Sequence, residues 1–287
     1  MTNATEFFDM SAAPMRIGKV KLKVRDLEAV SSFYQSVIGL KEIARSDREA
    51  TLGTSNTSLL VLEADPAFIP GDQRQAGLFH TAFLMPTRAD LAHWVSHVAH
   101  ARVPLQGASD HIVSEAFYLA DPEGNGIEVY WDRPMARWLD ANGNIQMSTD
   151  PLDIEDLLAA GEGGVWAGFP EQGSIGHVHL RVGETKAADS FYRDVLGFVV
   201  TADYPGASFY GSGGYHHQLA GNIWGSRGAG HRPQGMAGLD TLEIILRDAA
   251  DIANIVARAE KAGIEVTKSG TATTLRDPWG VAIALKN

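Results

Sequence analysis

The chain has no cysteine in 287 residues. Disulfides, thiolate metal ligands and a cysteine nucleophile are therefore excluded, and any metal must be held by histidine and carboxylate. Such donors suit iron, manganese, zinc or nickel. Basic residues are scarce as well: 24 Lys and Arg stand against 35 Asp and Glu, for a net charge of −11. That argues against a nucleic-acid partner, because binding phosphates needs clustered cations. No run reaches the roughly 18 apolar residues of a membrane span, which argues against a membrane protein. Residues 1–15 hold Phe7, Phe8 and Asp9 but no basic stretch leading into an apolar run. A secretory leader is not expected, and a cytoplasmic location is. The glycine-rich runs 211–214 and 228–235 lack the Gly-Lys-Ser/Thr of a phosphate loop.

What remains is an ordinary globular composition, 45% apolar and 21% charged, long enough for two domains. An internal repeat organises it. Ile17-Gly18-Lys19-Val20-Lys21-Leu22-Lys23-Val24 recurs 158 positions on as Ile175-Gly176-His177-Val178-His179-Leu180-Arg181-Val182. Ser32-Phe33-Tyr34, Val37 and Gly39 recur as Ser190-Phe191-Tyr192, Val195 and Gly197. Each copy reads as an alternating strand, then an amphipathic helix that stops at a glycine. Each half divides again, with strands predicted over 78–84 and 239–245 and helices over 89–101 and 250–262. The pattern is four modules of strand, helix and three strands, joined at the middle by a linker with a short helix over 153–160.

The segment 110–128 carries the strongest chemical signal. Residues 116–120 suit a strand, Asp121-Pro122-Glu123-Gly124 a turn, and Ile127-Glu128-Val129-Tyr130 a second strand. On a period of two, Glu128 shares a face with Gly126 and Tyr130. A carboxylate set into a sheet surface needs a metal or a cation as partner. His111 and Tyr118 precede it at fixed spacing.

This segment, with Gly77-Leu78-Phe79-His80, Ile175-Gly176-His177-Val178-His179 and Gly214-Tyr215-His216-His217, resembles the vicinal-oxygen-chelate superfamily of glyoxalases, bleomycin- and fosfomycin-resistance proteins and extradiol dioxygenases. Within it, the resemblance is to two-domain catechol 2,3-dioxygenase-like proteins. It implies an α+β fold of four βαβββ modules forming two glyoxalase-like domains, residues 14–132 and 173–287, with residues 133–172 as linker. In this superfamily metal ligands sit on the first and last strands of a module. Module one offers Lys19 and an apolar run near Leu60, and module four offers Thr241 and Ala284, none of them a ligand. Modules two and three offer His80, Glu128, His177 and the run His216-His217-Gln218. Pairing modules two with three, and one with four, collects every donor in one site. The sequence leaves open whether that site closes within one chain or across a dimer.

By this resemblance His80, His177 and Glu128 are the metal ligands, a two-histidine, one-carboxylate set suited to Fe(II), with Mn(II), Ni(II) or Zn(II) as alternatives. His217, rather than His216, matches the acid–base histidine, Tyr118 the tyrosine that hydrogen-bonds the substrate, and His111 the opening histidine of the signature. The expected activity is extradiol cleavage of a small aromatic diol by O2 to a muconic semialdehyde, in a homodimer or tetramer. The alternatives are a glyoxalase-like lyase or isomerase, and a metal-free drug-binding protein. His179 receives no assignment. His93, His97 and His100 have helical spacing and read as a solvated face, and His231 lies in a loop that could cover a pocket. Trp224, Trp279, Phe209 and Tyr215 could line one, although core packing suits most of them.

Overall fold

In the computed structural model, residues 6–270 and 272–287 are described; residues 1–5 of the N-terminal stretch read above fall outside them. The first module runs β1 (Met15–Val24), α1 (Leu27–Phe33), β2 (Lys41–Arg45), β3 (Glu49–Gly53) and β4 (Ser58–Ala64). The second is β5 (Gly77–Leu84), α2 (Arg88–His100), β6 (Gly107–Asp110), β7 (Ser114–Ala120) and β8 (Gly126–Asp132). After α3 (Ile154–Ala159) in the linker come β9 (Ser174–Arg181), α4 (Thr185–Asp189), β10 (Val199–Tyr204), β11 (Ala207–Gly211) and β12 (Leu219–Asn222). The last module is β13 (Gly238–Leu246), α5 (Ala249–Lys261), β14 (Val266–Ser269), β15 (Ala272–Arg276) and β16 (Ala282–Lys286). The expected strand, helix and three-strand pattern is present four times.

Helix starts follow local chemistry. Asp26, Thr87 and Asp248 each turn a side-chain oxygen onto a backbone N–H of the first turn of α1, α2 and α5. A π-type segment, 34–38 or 190–196, extends α1 and α4, and Gly39 and Gly197 end these with left-handed backbone. The sequence pattern did not distinguish that extra turn from ordinary helix.

The sheets join modules that are not neighbours in sequence. One eight-stranded sheet has the order β14-β15-β16-β13-β1-β4-β3-β2, combining modules four and one. The other, β10-β11-β12-β9-β5-β8-β7-β6, combines three and two. The outer-with-outer, inner-with-inner pairing is therefore achieved within one chain. Helices couple the other way: Trp94 Nε1 of α2 donates to Val37 O at 2.9 Å, and Arg258 Nε of α5 to Val195 O at 2.7 Å. One apolar core, including Leu22, Tyr34, Phe83, Trp94, Phe117 and Leu242, runs through both sheets. Burying each such side chain contributes about 1.5–3 kcal/mol. Among the described residues no helix is long and apolar enough to cross a membrane.

The two sheets differ in what their equivalent faces carry. On β1, Lys19, Lys21 and Lys23 occupy alternate positions, as His177, His179 and Arg181 do on β9. Lys21 reaches Glu63 at 2.5 Å, Lys23 reaches Asp240 at 2.6 Å, and Lys286 reaches Glu243 at 2.8 Å. In the outer sheet, ion pairs fill the places where the inner sheet gathers imidazoles.

Candidate metal centre

Strand register brings the donors together. β5 runs parallel to β8 with Ala82 opposite Glu128, and antiparallel to β9 with Ala82 opposite His177. His80, two residues before Ala82, points to the same face. The fully buried Ala82 is therefore the low floor between three larger side chains. Glu128 Oε2 lies 2.9 Å from His80 Nε2 and 3.1 Å from His177 Nε2, and the two nitrogens are 3.3 Å apart. All three residues are buried and their donor atoms converge.

This donor set fits a divalent metal. Neighbouring ligands of an octahedral ion at about 2.1 Å stand about 3.0 Å apart, and the three observed separations bracket that value. Burial works against the Glu128 carboxylate, but His177 and His80 offset it and hold the acid well below its usual range. Burial pushes His177 below its usual value, against the opposing pull of the carboxylate beside it. An anionic carboxylate and neutral imidazoles are the forms that bind metal. His177 Nδ1 is buried without a hydrogen-bond partner, so packing must hold the ring. Tyr130 and His217 provide it, with ring centroids at 4.9 and 4.3 Å. Gly176 makes room: a Cβ there would lie 1.8 Å from the Tyr130 hydroxyl.

Two hydrogen-bonded chains end at this centre. In the first, His111 Nδ1 is 2.5 Å from the Ser148 carbonyl oxygen, which can only accept, so Nδ1 carries the proton. Nε2 is then the acceptor for the Tyr118 hydroxyl, also at 2.5 Å. Tyr118 stands directly across the β7–β8 ladder from Glu128. Burial, and then the Glu128 charge, push its phenol well above the usual value, so it stays protonated. The turn that presents His111 is tight, with Ile112 in the left-handed region at φ 69°. For a β-branched residue that costs about 1–3 kcal/mol. Arg133, paired with Asp110 at 2.7 Å and with buried Glu115 at 2.8 Å, braces the turn.

In the second chain, His216 Nε2 lies 2.8 Å from Asp132 Oδ1. Asp132 Oδ2 accepts from the Tyr215 hydroxyl at 2.7 Å. His216 Nδ1 meets His217 Nδ1 at 2.8 Å. His216 is wholly enclosed, whereas His217 lines the cavity, so the structure brings the second of the doublet to the site. Burial, then the neighbouring imidazoles, hold His217 well below its usual pKa. His179 is also buried and lines the cavity, with Nε2 taking a 3.0 Å hydrogen bond from Asn222 Nδ2.

The cavity above the donors measures about 700 Å³ and no lysine or arginine lines it. Phe79, Ile112, Phe209, Tyr204 and Trp224 supply apolar wall, and linker residues 145–149 close one side. Of the four aromatics considered from sequence, Trp224 and Phe209 line it. Trp279 and Tyr215 are buried elsewhere. His231 does not reach it and packs against Gly280 instead. The histidines of α2 are not simply a solvated face: His93 Nε2 meets Gly161 O at 3.0 Å and His97 Nε2 meets Ser36 O at 2.8 Å. They tie linker and α1 region to α2. Asp132 and Ser148 escaped sequence reasoning. Asp132 shares the Glu128 face of β8, which was a usable signal, but a linker carbonyl leaves none.

The profile of the Glyoxalase/Bleomycin resistance protein/Dioxygenase superfamily matches residues 16–129 and 174–285. The chain is 38% identical over 267 residues to catechol-2,3-dioxygenase of Bacillus subtilis (strain 168), covering 91% of this chain and 93% of that one. It is 25% identical over 163 residues to biphenyl-2,3-diol 1,2-dioxygenase 2 of Rhodococcus globerulus, covering 53% of this chain and 85% of that one. In fold it is similar to glyoxalase I from Zea mays, with a TM-score of 0.59, 16% identity and coverage of 96% and 93%.

Proposed function

The chain belongs to the glyoxalase, bleomycin resistance protein and dioxygenase superfamily, and from that premise we propose that it is an Fe(II)-dependent extradiol dioxygenase of the catechol 2,3-dioxygenase type. It would open a catechol-type aromatic with O2 to a muconic semialdehyde. The observation that carries this reading is the convergence of His80, Glu128 and His177 with Tyr118 and His217 on one largely apolar cavity. The similarity to a catechol-2,3-dioxygenase over nearly the whole chain supports it. A dimer or tetramer working in the cytoplasm belongs to the same proposal.

His80, Glu128 and His177 would hold the metal, leaving its remaining positions open toward the cavity. When bound, the metal supplies a Lewis-acidic centre that acidifies the diol hydroxyls and passes electron density from the ring to O2. His217 is the base on one side: its Nε2 accepts a proton from a diol hydroxyl and later returns it to the opening ring. Tyr118 accepts a hydrogen bond from the second oxygen while its own O–H donates to His111 Nε2, which fixes the ring's orientation. Phe79, Phe209 and Trp224 keep water from the reacting ring. Replacing Glu128 with Ala tests the ligand assignment. The variant should purify folded with metal content near zero, while full metal retention would refute it.

A further inference from the structure

A second, smaller cavity of about 90 Å³ lies where the two sheets meet, and it is lined by Arg181 and Arg232, neither of which forms a salt bridge among the described residues. Arg181 closes β9, on the face shared with His177 and His179. Its Nε is buried and meets no hydrogen-bond acceptor. Arg232 comes from the loop before β13 and gives its guanidinium donors to the carbonyls of Met236, Ala237 and Leu239. Those contacts satisfy hydrogens but neutralise no charge. Gly238 admits the guanidinium, since a Cβ there would lie 2.8 Å from Arg232 Nη2.

Two carboxylates, Asp72 and Glu123, share the lining with the arginines, and both are already engaged. Asp72 pairs with Arg74 at 3.1 Å, and Glu123 Oε1 takes the backbone N–H groups of Arg25 and Asp26 at 2.7 and 2.8 Å. Asp240, which faces Arg232 from β13, is held by Lys23 at 2.6 Å, and Asp277, which also acts on Arg232, accepts from the Tyr192 hydroxyl at 2.8 Å. Burial, and then the Arg232 charge, lower Arg181 to about 10, so it stays charged at neutral pH. In a chain with 35 acidic and 24 basic side chains, two partly enclosed guanidiniums with no carboxylate in ion-pair contact stand out. Uncompensated buried charge is strongly destabilising, so an anion there would be favoured.

We propose that this cavity binds a small oxyanion, a phosphate- or carboxylate-sized group gripped by the Arg181 fork with Arg232 beside it. A guanidinium presents paired N–H donors that match two oxygens of one anion better than they match a halide. The volume accommodates about half a dozen water-sized atoms, which suits phosphate or formate and excludes a nucleotide. β9 and β5 belong to one sheet and β13 to the other, so the ligand would fasten the sheets together beneath the metal strand.

Thermal unfolding of the metal-loaded protein tests this, with inorganic phosphate, formate or chloride titrated against gluconate, too bulky for the cavity, at constant ionic strength. Phosphate or formate should raise the melting temperature saturably, on the order of 5 °C at about a hundredfold excess over the dissociation constant. Chloride should do less, and Arg181→Met should abolish the response. Should Arg181→Met fail to fold, Arg181→Lys keeps the charge without the fork and should weaken the oxyanion at least about tenfold. No saturable response, an equal response to chloride, or an undiminished response in these variants overturns the proposal.

Discussion

His216 and His217 meet nitrogen to nitrogen, Nδ1 to Nδ1, at 2.8 Å. One must donate and the other accept, and Asp132 decides which. Its carboxylate can only accept, so His216 carries a proton on Nε2, and with one proton on the ring its Nδ1 is the acceptor. His217 therefore donates from Nδ1 and keeps an unprotonated Nε2 for the cavity, the form a base requires.

Replacing His217 with Ala should lower kcat by about 10²–10⁴-fold with metal content unchanged, as loss of a general base does. Asp132→Asn should reach a similar loss by another route. The amide can donate to His216, which reverses the chain and protonates His217 at Nε2. The double variant should be no slower than His217→Ala alone, and steady-state rates with metal analysis decide it. Independent, multiplicative losses would break the link.

Tyr118→Phe removes the hydroxyl that lies between His111 and the site. It should cut kcat by about 10–100-fold while KM changes little, since the lost contact matters most as protons move. His111→Phe should produce a loss of the same kind. A rise in KM alone would instead make the pair a binding contact.

The metal-free protein should lose stability on mild acidification. His177, His179 and His217 all titrate below the ordinary 6.5 in the folded state, chiefly through burial. The unfolded chain then binds more protons than the native one, so stability is full above about pH 6.5 and falls as pH drops below it. Melting temperatures of the metal-free protein at about pH 7.5 and 5.5 should decrease in that order, before Glu128 protonates. A flat or rising profile would contradict the buried neutral imidazoles.

Charge should decide between substrates. The cavity holds no lysine or arginine and has Glu128 and Asp203 on its wall. A catechol with an apolar substituent should therefore exceed a carboxylated catechol by at least about tenfold in kcat/KM, the cost of an unpaired anion in such a site. Equal turnover would mean that a cation outside the described wall serves the site.

Much of this was legible in the chain. The repeat from Ile17 to Ile175 marked the modules, and the confinement of His80, Glu128 and His177 to modules two and three pointed to the inner sheet. Lys19 in place of His177 marked the outer sheet as lacking a ligand there. Other features depend on contacts between distant segments. The tautomer of His111 is set by the carbonyl of Ser148, which any residue could supply. The histidines of α2 look solvated by helical spacing, yet Gly161 and Ser36 carbonyls lie on them because the linker and the α1 region pack there. The π-type turns at 34–38 and 190–196 preserve the apolar spacing of an α-helix and so leave no mark in the pattern.

The most direct test supplies catechol and ¹⁸O₂ to protein loaded anaerobically with Fe(II) at about one ion per chain. The account predicts stoichiometric oxygen uptake and a yellow ring-opened product carrying both labelled atoms. Tightly bound metal with no oxygen uptake from any catechol would contradict it and return the site to lyase or isomerase chemistry.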